Sequence, residues 1–136
     1  MQPIGAIHHI DISVGDLALS TAFYDRILPL LGFRRFPDAP EGPLWAGARL
    51  EVGLQAARSS EQEPHDRFRV GLHHLAFTAP TRAAVDSLHR DLVAMGVTIL
   101  DSPAEYSGYA PGYYAVFFAD PDGIKLEYVH TPHWPA

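Results

Sequence analysis

His8-His9-Ile10-Asp11-Ile12-Ser13 stands near the start of the chain, and His73-His74-Leu75-Ala76-Phe77-Thr78 begins its second half 65 positions later. Both runs read His-His-aliphatic, then small or polar, hydrophobic, hydroxyl. The match continues without a gap into the next segment: Ala18 falls on Ala83, Phe23 on Leu88, Ile27 on Leu92 and Leu30 on Met95. After one deleted residue, Gly32 falls on Gly96. Few of the residues are identical. What recurs is an order of signals (strand, cap, helix, closing glycine), and an order repeated at fixed spacing points to two copies of one supersecondary unit.

The local chemistry supports that order. Ile10, Ile12 and Val14 alternate with His9, Asp11 and Ser13, the period of a strand with one apolar and one polar face. Asp16 is placed to cap a helix in which Leu17, Phe23, Tyr24, Ile27, Leu28 and Leu31 recur at helical spacing. Pro29 lacks a donor and crowds the carbonyl four residues back, so it predicts a kink or end in the last turn, with Gly32 closing the helix. In the second half Thr81 is the cap, Val85, Leu88, Leu92 and Met95 form the apolar stripe, and Gly96 is the stop. Short strands follow each helix, at 33–36, 44–48 and 50–56 and again at 97–100, 113–119 and 124–130. Asp120-Pro121-Asp122-Gly123 is a turn between the last two, proline fixing one dihedral and glycine permitting a positive one. The expected fold is α+β: two βαβββ modules, about 5–57 and 72–130, joined by a charged linker at 58–71. Their curved mixed sheets should enclose one cleft, with the helices on the outer faces.

The bulk properties narrow the function. A chain of 136 residues with 47% hydrophobic and 19% charged residues has the composition of a folded globular domain. Its net charge of −6 makes nucleic acid a poor partner, and Arg34-Arg35 and Arg67 with Arg69 sit among acidic neighbours as solvated surface charge. No stretch approaches the ~20 apolar residues of a membrane span. Met1 to His8 lacks the charged-then-apolar pattern of a signal peptide, so a cytoplasmic protein is the expectation. Without cysteine there is no disulfide, thiolate metal site or thiol nucleophile.

Strand parity then says where the polar groups point. With Ile10, Ile12 and Val14 turned to the helix layer, His9, Asp11 and Ser13 face the open side. Leu75 and Phe77 likewise turn His74 to the open side, and Ile124, Leu126 and Tyr128 turn Lys125 and Glu127 there. Two imidazoles and a carboxylate make a divalent-metal donor set that leaves positions for water and substrate. The competing reading is a hydrogen-bonded structural network. Glu51 shares a strand face with Gly53 and Gln55 and is either a fourth ligand, a base or a solvent-facing charge. Tyr106, Tyr109, Tyr113 and Tyr114 surround a Gly/Pro-rich loop, as a lid over the cleft or as packing. His8 and His73 have the other parity and should pack against the helices, while His65, His89, His130 and His133 read as surface residues.

The run from His8 through Val14-Gly15-Asp16-Leu17, with Phe23-Tyr24 and Leu31-Gly32, resembles the opening of glyoxalase, bleomycin-resistance and extradiol-dioxygenase proteins. Phe117-Phe118-Ala119-Asp120-Pro121-Asp122-Gly123-Ile124-Lys125-Leu126-Glu127 resembles the closing motif of that vicinal-oxygen-chelate superfamily. Tyr109 to Phe118 is similar to a subgroup of small bacterial members. The resemblance implies that His9, His74 and Glu127 are metal ligands, with Glu51, or Gln55 in a different register, as the fourth of the lactoylglutathione lyase pattern. It implies a divalent ion (Fe, Zn, Ni, Mn or Mg) and a lyase, isomerase or dioxygenase reaction on a small substrate chelated through neighbouring oxygens. A homodimer is also implied, with the cleft inside one chain or shared between two. The alternative within the same resemblance is a metal-free protein that sequesters a drug or other small molecule.

Overall fold

The computed structural model describes residues 3–37, 39–58 and 63–133, and they form two compact units, Met1–Glu63 and Pro64–Ala136. Each unit is a βαβββ element with one four-stranded mixed sheet, the α+β class that the repeat predicts.

In the first unit β1 (His9–Val14) leads into α1 (Leu17–Ile27), followed by β2 (Arg34–Phe36), β3 (Leu44–Ala46) and β4 (Glu51–Ala56). The sheet order is β1-β4-β3-β2, with β1 parallel to β4 and the other pairs antiparallel. A parallel neighbour needs a crossover, and α1 supplies it. Asp16 accepts a hydrogen bond from the Leu19 amide at 2.9 Å and starts the helix. Pro29 ends it: the α-helix stops at Ile27 and a 3-10 turn, Leu28–Leu31, carries the chain to Gly32, whose φ is 89°. Tyr24, Ile27 and Leu28 are buried, as are Val14, Val52, Leu54 and Trp45 on the sheet, and the Tyr24 and Trp45 rings meet. Asp25 accepts hydrogen bonds from Trp45 Nε1 at 3.0 Å and Arg35 Nη1 at 2.8 Å, tying the helix to β2 and β3.

The second unit repeats the plan with β5 (Leu75–Thr78), α2 (Arg82–Ala94), β6 (Ile99–Glu105), β7 (Tyr114–Ala119) and β8 (Lys125–His130), in the order β5-β8-β7-β6. Thr81 caps α2, accepting from the Ala84 amide, and Val85, Leu88 and Leu92 are its buried stripe. The strand expected at 97–100 starts later and runs on to Glu105, with register shifts between Ile99, Asp101 and Ala104. Pro103 lies in that irregular stretch, and β6 tolerates it because it is an edge strand. In the turn before β8, Asp120 Oδ1 accepts from the Asp122 and Ile124 amides, both at 2.9 Å, and Gly123 has φ 82°.

One further expectation needs correction. His8 and His73 are exposed and do not pack against the helices, because each precedes its strand, where parity no longer directs it. Each instead meets the next histidine edge-on. Among the described residues no helix is long and apolar enough to cross a membrane.

Candidate metal centre

β1 and β4 build the polar face of the first unit. Their parallel register sets His9 opposite Glu51, Asp11 opposite Gly53 and Ser13 opposite Gln55. His9, Asp11, Glu51, Gly53 and Gln55 all line a cavity of about 330 Å³, with residues 39–44 also in its wall. His9 and Asp11 keep about half of their side chains exposed, and His9 Nε2 lies 3.8 Å from Asp11 Oδ2. The other ring nitrogen, Nδ1, is 3.0 Å from His8 Nδ1.

The second unit is tighter. Glu127 is 1% exposed although it sits in the open-face register of β8. His74 Nε2 is 3.0 Å from Glu127 Oε1, and the Tyr113 hydroxyl donates to Glu127 Oε2. His74 Nδ1 is 2.8 Å from His73 Nδ1, so the second unit repeats the imidazole pair of the first. Phe117, opposite Glu127 on β7, packs edge-on against both His74 and Tyr106. Tyr106 stacks on Tyr109, and Tyr109 meets Tyr113, which makes an aromatic wall beside the carboxylate. Lys125 holds its ammonium 4.4 Å from the centre of the Phe117 ring on the same face.

Tyr114 is not part of this face. It has the opposite parity to Tyr113, its hydroxyl donates to Asp86 on α2 at 2.6 Å, and Arg82 lies over its ring. It belongs to the helix side and leaves the set of cleft candidates. His74, Glu127, Tyr109, Tyr113 and Lys125 gather in the second unit, and His9, Asp11, Glu51 and Gln55 in the first. Phe117 and the His8 and His73 partners were not singled out as site residues from the sequence. The doubled His-His at the same repeat position was the available signal for the last two.

Tyr113 has a phenol held well above the usual range, first because burial penalises the phenolate and second because its proton is bonded to Glu127. The folded state therefore keeps a proton that the unfolded chain releases near 10.0, the ordinary tyrosine value. That stabilisation is complete below pH 10 and drains away as pH rises through and beyond it. We expect ultraviolet titration of the chelator-treated protein to show late-ionising tyrosines, since Tyr106, Tyr114 and Tyr128 are also raised, and Tyr113→Phe to remove part of that late amplitude. A Tyr113→Phe curve identical to wild type would contradict the assignment.

The glyoxalase/bleomycin resistance protein/dioxygenase superfamily model matches residues 6–128. The chain belongs to this superfamily. Among similar proteins, the uncharacterized protein YqjT of Bacillus subtilis (strain 168) is 36% identical over 124 residues, spanning 90% of this chain and 97% of the relative. The metallothiol transferase FosB of Lysinibacillus sphaericus (strain C3-41) is 28% identical over 140 residues, spanning 94% and 83%. A crystal structure of a candidate glyoxalase from Bacillus halodurans superposes with a TM-score of 0.75 at 34% identity, covering 94% of this chain and 97% of that one.

Members of the superfamily generally use divalent metals, and the donors here suit one. Imidazole nitrogen and carboxylate oxygen are ordinary ligands for Fe, Zn, Ni and Mn. A carboxylate buried to 1% beside an imidazole nitrogen is also an expensive arrangement that needs a positive partner, which an ion would supply. Among the described residues no group of three or more histidine, aspartate or glutamate side chains is gathered closely enough to hold a metal ion. His74 with Glu127 is a two-donor half-site, and His9 stands in the equivalent position of the other unit.

Proposed function

We propose that this member of the superfamily is a metal-dependent enzyme of the lyase, isomerase or dioxygenase kind, with His9, His74 and Glu127 holding a divalent ion. Its substrate is a small oxygenated molecule that binds through neighbouring oxygens. The observation that carries the reading is the 3.0 Å contact of His74 Nε2 with the buried Glu127 Oε1. When bound, the ion supplies Lewis-acid stabilisation of an enolate or alkoxide. Membership of the superfamily and the likeness to a metallothiol transferase support the same reading.

The chain's own residues have separable tasks. Tyr113 donates to Glu127 Oε2 and fixes the carboxylate so that Oε1 faces His74. His73 and His74 share one proton between their Nδ1 atoms, and either ring can donate it. That freedom lets His74 Nε2 give up its own proton when both Nε2 and Oε1 serve as donors. Phe117, Tyr106 and Tyr109 exclude water from one side of the carboxylate. Lys125, on the same face, offers a cation to an anionic oxygen of the substrate.

Thermal denaturation tests the proposal. The protein is stripped with a chelator and reloaded with Mn, Fe, Ni or Zn in turn. At least one ion should raise the melting temperature of the wild type and leave His74→Ala unmoved, since a native-state ligand at a hundredfold excess over Kd contributes about 2.7 kcal/mol. Acetohydroxamate, a small chelator with two neighbouring oxygens, should then perturb the visible spectrum of the Co-loaded protein. Absence of any metal-dependent shift would overturn the proposal and favour a metal-free binding cleft.

A further inference from the structure

Glu127 has a counterpart position in the first unit, and the strand registers identify it. β5 pairs with β8 so that Ala76 faces Glu127, and β1 pairs with β4 so that Asp11 faces Gly53. Asp11 and Ala76 are repeat mates, so Gly53 is the mate of Glu127. The two units have therefore divided the same pair of positions in opposite ways. One has a small residue on its first strand and a carboxylate on its last. The other has a carboxylate on its first strand and no side chain on its last.

The geometry matches the register. A Cβ built at Gly53 would overlap Asp11 Oδ1, so the aspartate carboxylate fills the space in which a side chain at 53 would begin. Gly53 does not have a positive φ, which means that space and not backbone conformation accounts for the glycine. The imidazoles repeat as well. In each unit Nδ1 is turned to the preceding histidine, at 3.0 Å for His9 and 2.8 Å for His74. In each unit Nε2 is turned to the carboxylate, at 3.8 Å from Asp11 and 3.0 Å from Glu127. Glu51, two residues before Gly53, is by the same spacing the mate of Lys125, a position that carries no donor in the second unit.

We propose that Asp11 is a metal ligand of the first unit beside His9, supplying from the first strand what Glu127 supplies from the last strand of the second unit, and that Glu51 and Gln55 are not ligands. The inference rests on the metal reading above.

Isothermal titration of the chelator-treated protein with Mn, and separately with Co, tests this. The Asp11 side chain is half exposed, so Asp11→Asn should fold normally. It should weaken binding by about 100-fold, the upper end of what altered ligand surroundings cost. Glu51→Gln should bind as wild type does. Asp11→Ala combined with Gly53→Glu returns the carboxylate to the mate of Glu127 and should recover most of the lost affinity. Unchanged affinity in Asp11→Asn, or a loss in Glu51→Gln instead, overturns the proposal. Loss in Asp11→Asn without recovery in the double variant also overturns it, because Asp11 would then act by holding His9. A wild type that binds neither ion overturns the metal reading itself, an outcome distinct from failure of Asp11 alone.

Discussion

Trp45→Ala should lower the unfolding free energy by about 3–5 kcal/mol, the range for truncating a large buried aromatic. Trp45 is 0% exposed at the centre of β3, with Arg35 and Val52 as its neighbours across the sheet. Its ring lies 6.1 Å from that of Tyr24 on α1, and the Arg35 guanidinium sits 5.1 Å above it. Alanine leaves a cavity between helix and sheet and strips Asp25 of the Trp45 Nε1 donor. Trp45→Phe separates the two contributions, since it keeps most of the volume and loses only the hydrogen bond to a carboxylate, worth about 1.5–3 kcal/mol. Chemical denaturation followed by circular dichroism reads both values. A loss below about 1 kcal/mol in the alanine variant would contradict this account of the first unit's core.

Glu127→Gln should have a divided effect: metal binding collapses while the metal-free protein keeps its stability to within about 1 kcal/mol. The glutamate is 1% exposed and its oxygens meet His74 Nε2 and the Tyr113 hydroxyl. Glutamine has nearly the same shape, and its carbonyl and amide can meet both partners, since the Tyr113 hydroxyl also accepts. What disappears is the negative charge. A buried charge costs desolvation and is weak evidence for stability in itself. Its retention makes sense if it serves binding, and functional sites commonly trade stability for function in this way. Calorimetric titration beside denaturation of the stripped protein distinguishes the outcomes. A large loss of metal-free stability with unaltered metal affinity would make the carboxylate part of a structural network.

Much of the fold was legible because its signals are local and doubled. The His-His-aliphatic runs, the Asp16 and Thr81 caps and the Gly32 and Gly96 stops each follow from one residue's chemistry, and each occurs twice. Pro29 predicted the end of α1 within two residues for the same reason. The extension of β6 was not legible, because Pro103 argues against a strand and only its place at the sheet edge permits one. Parity served within strands and failed outside them. It separated Glu127 from the core set Ile124, Leu126 and Tyr128, but it could not place His8 and His73, which lie before their strands. Tyr113 and Tyr114 looked alike in composition and separated only once β7 fixed their faces. The relation of Asp11 to Gly53 was out of reach of the sequence, because it depends on the register between β1 and β4.

The central claim, that both imidazoles serve one ion, is tested most directly by measuring bound metal by mass spectrometry after chelation, reloading and desalting. Wild type, His9→Ala and His74→Ala should be compared side by side. The account predicts about one equivalent in the wild type and almost none in either variant. An equivalent retained in His9→Ala, or no metal in the wild type, would contradict it.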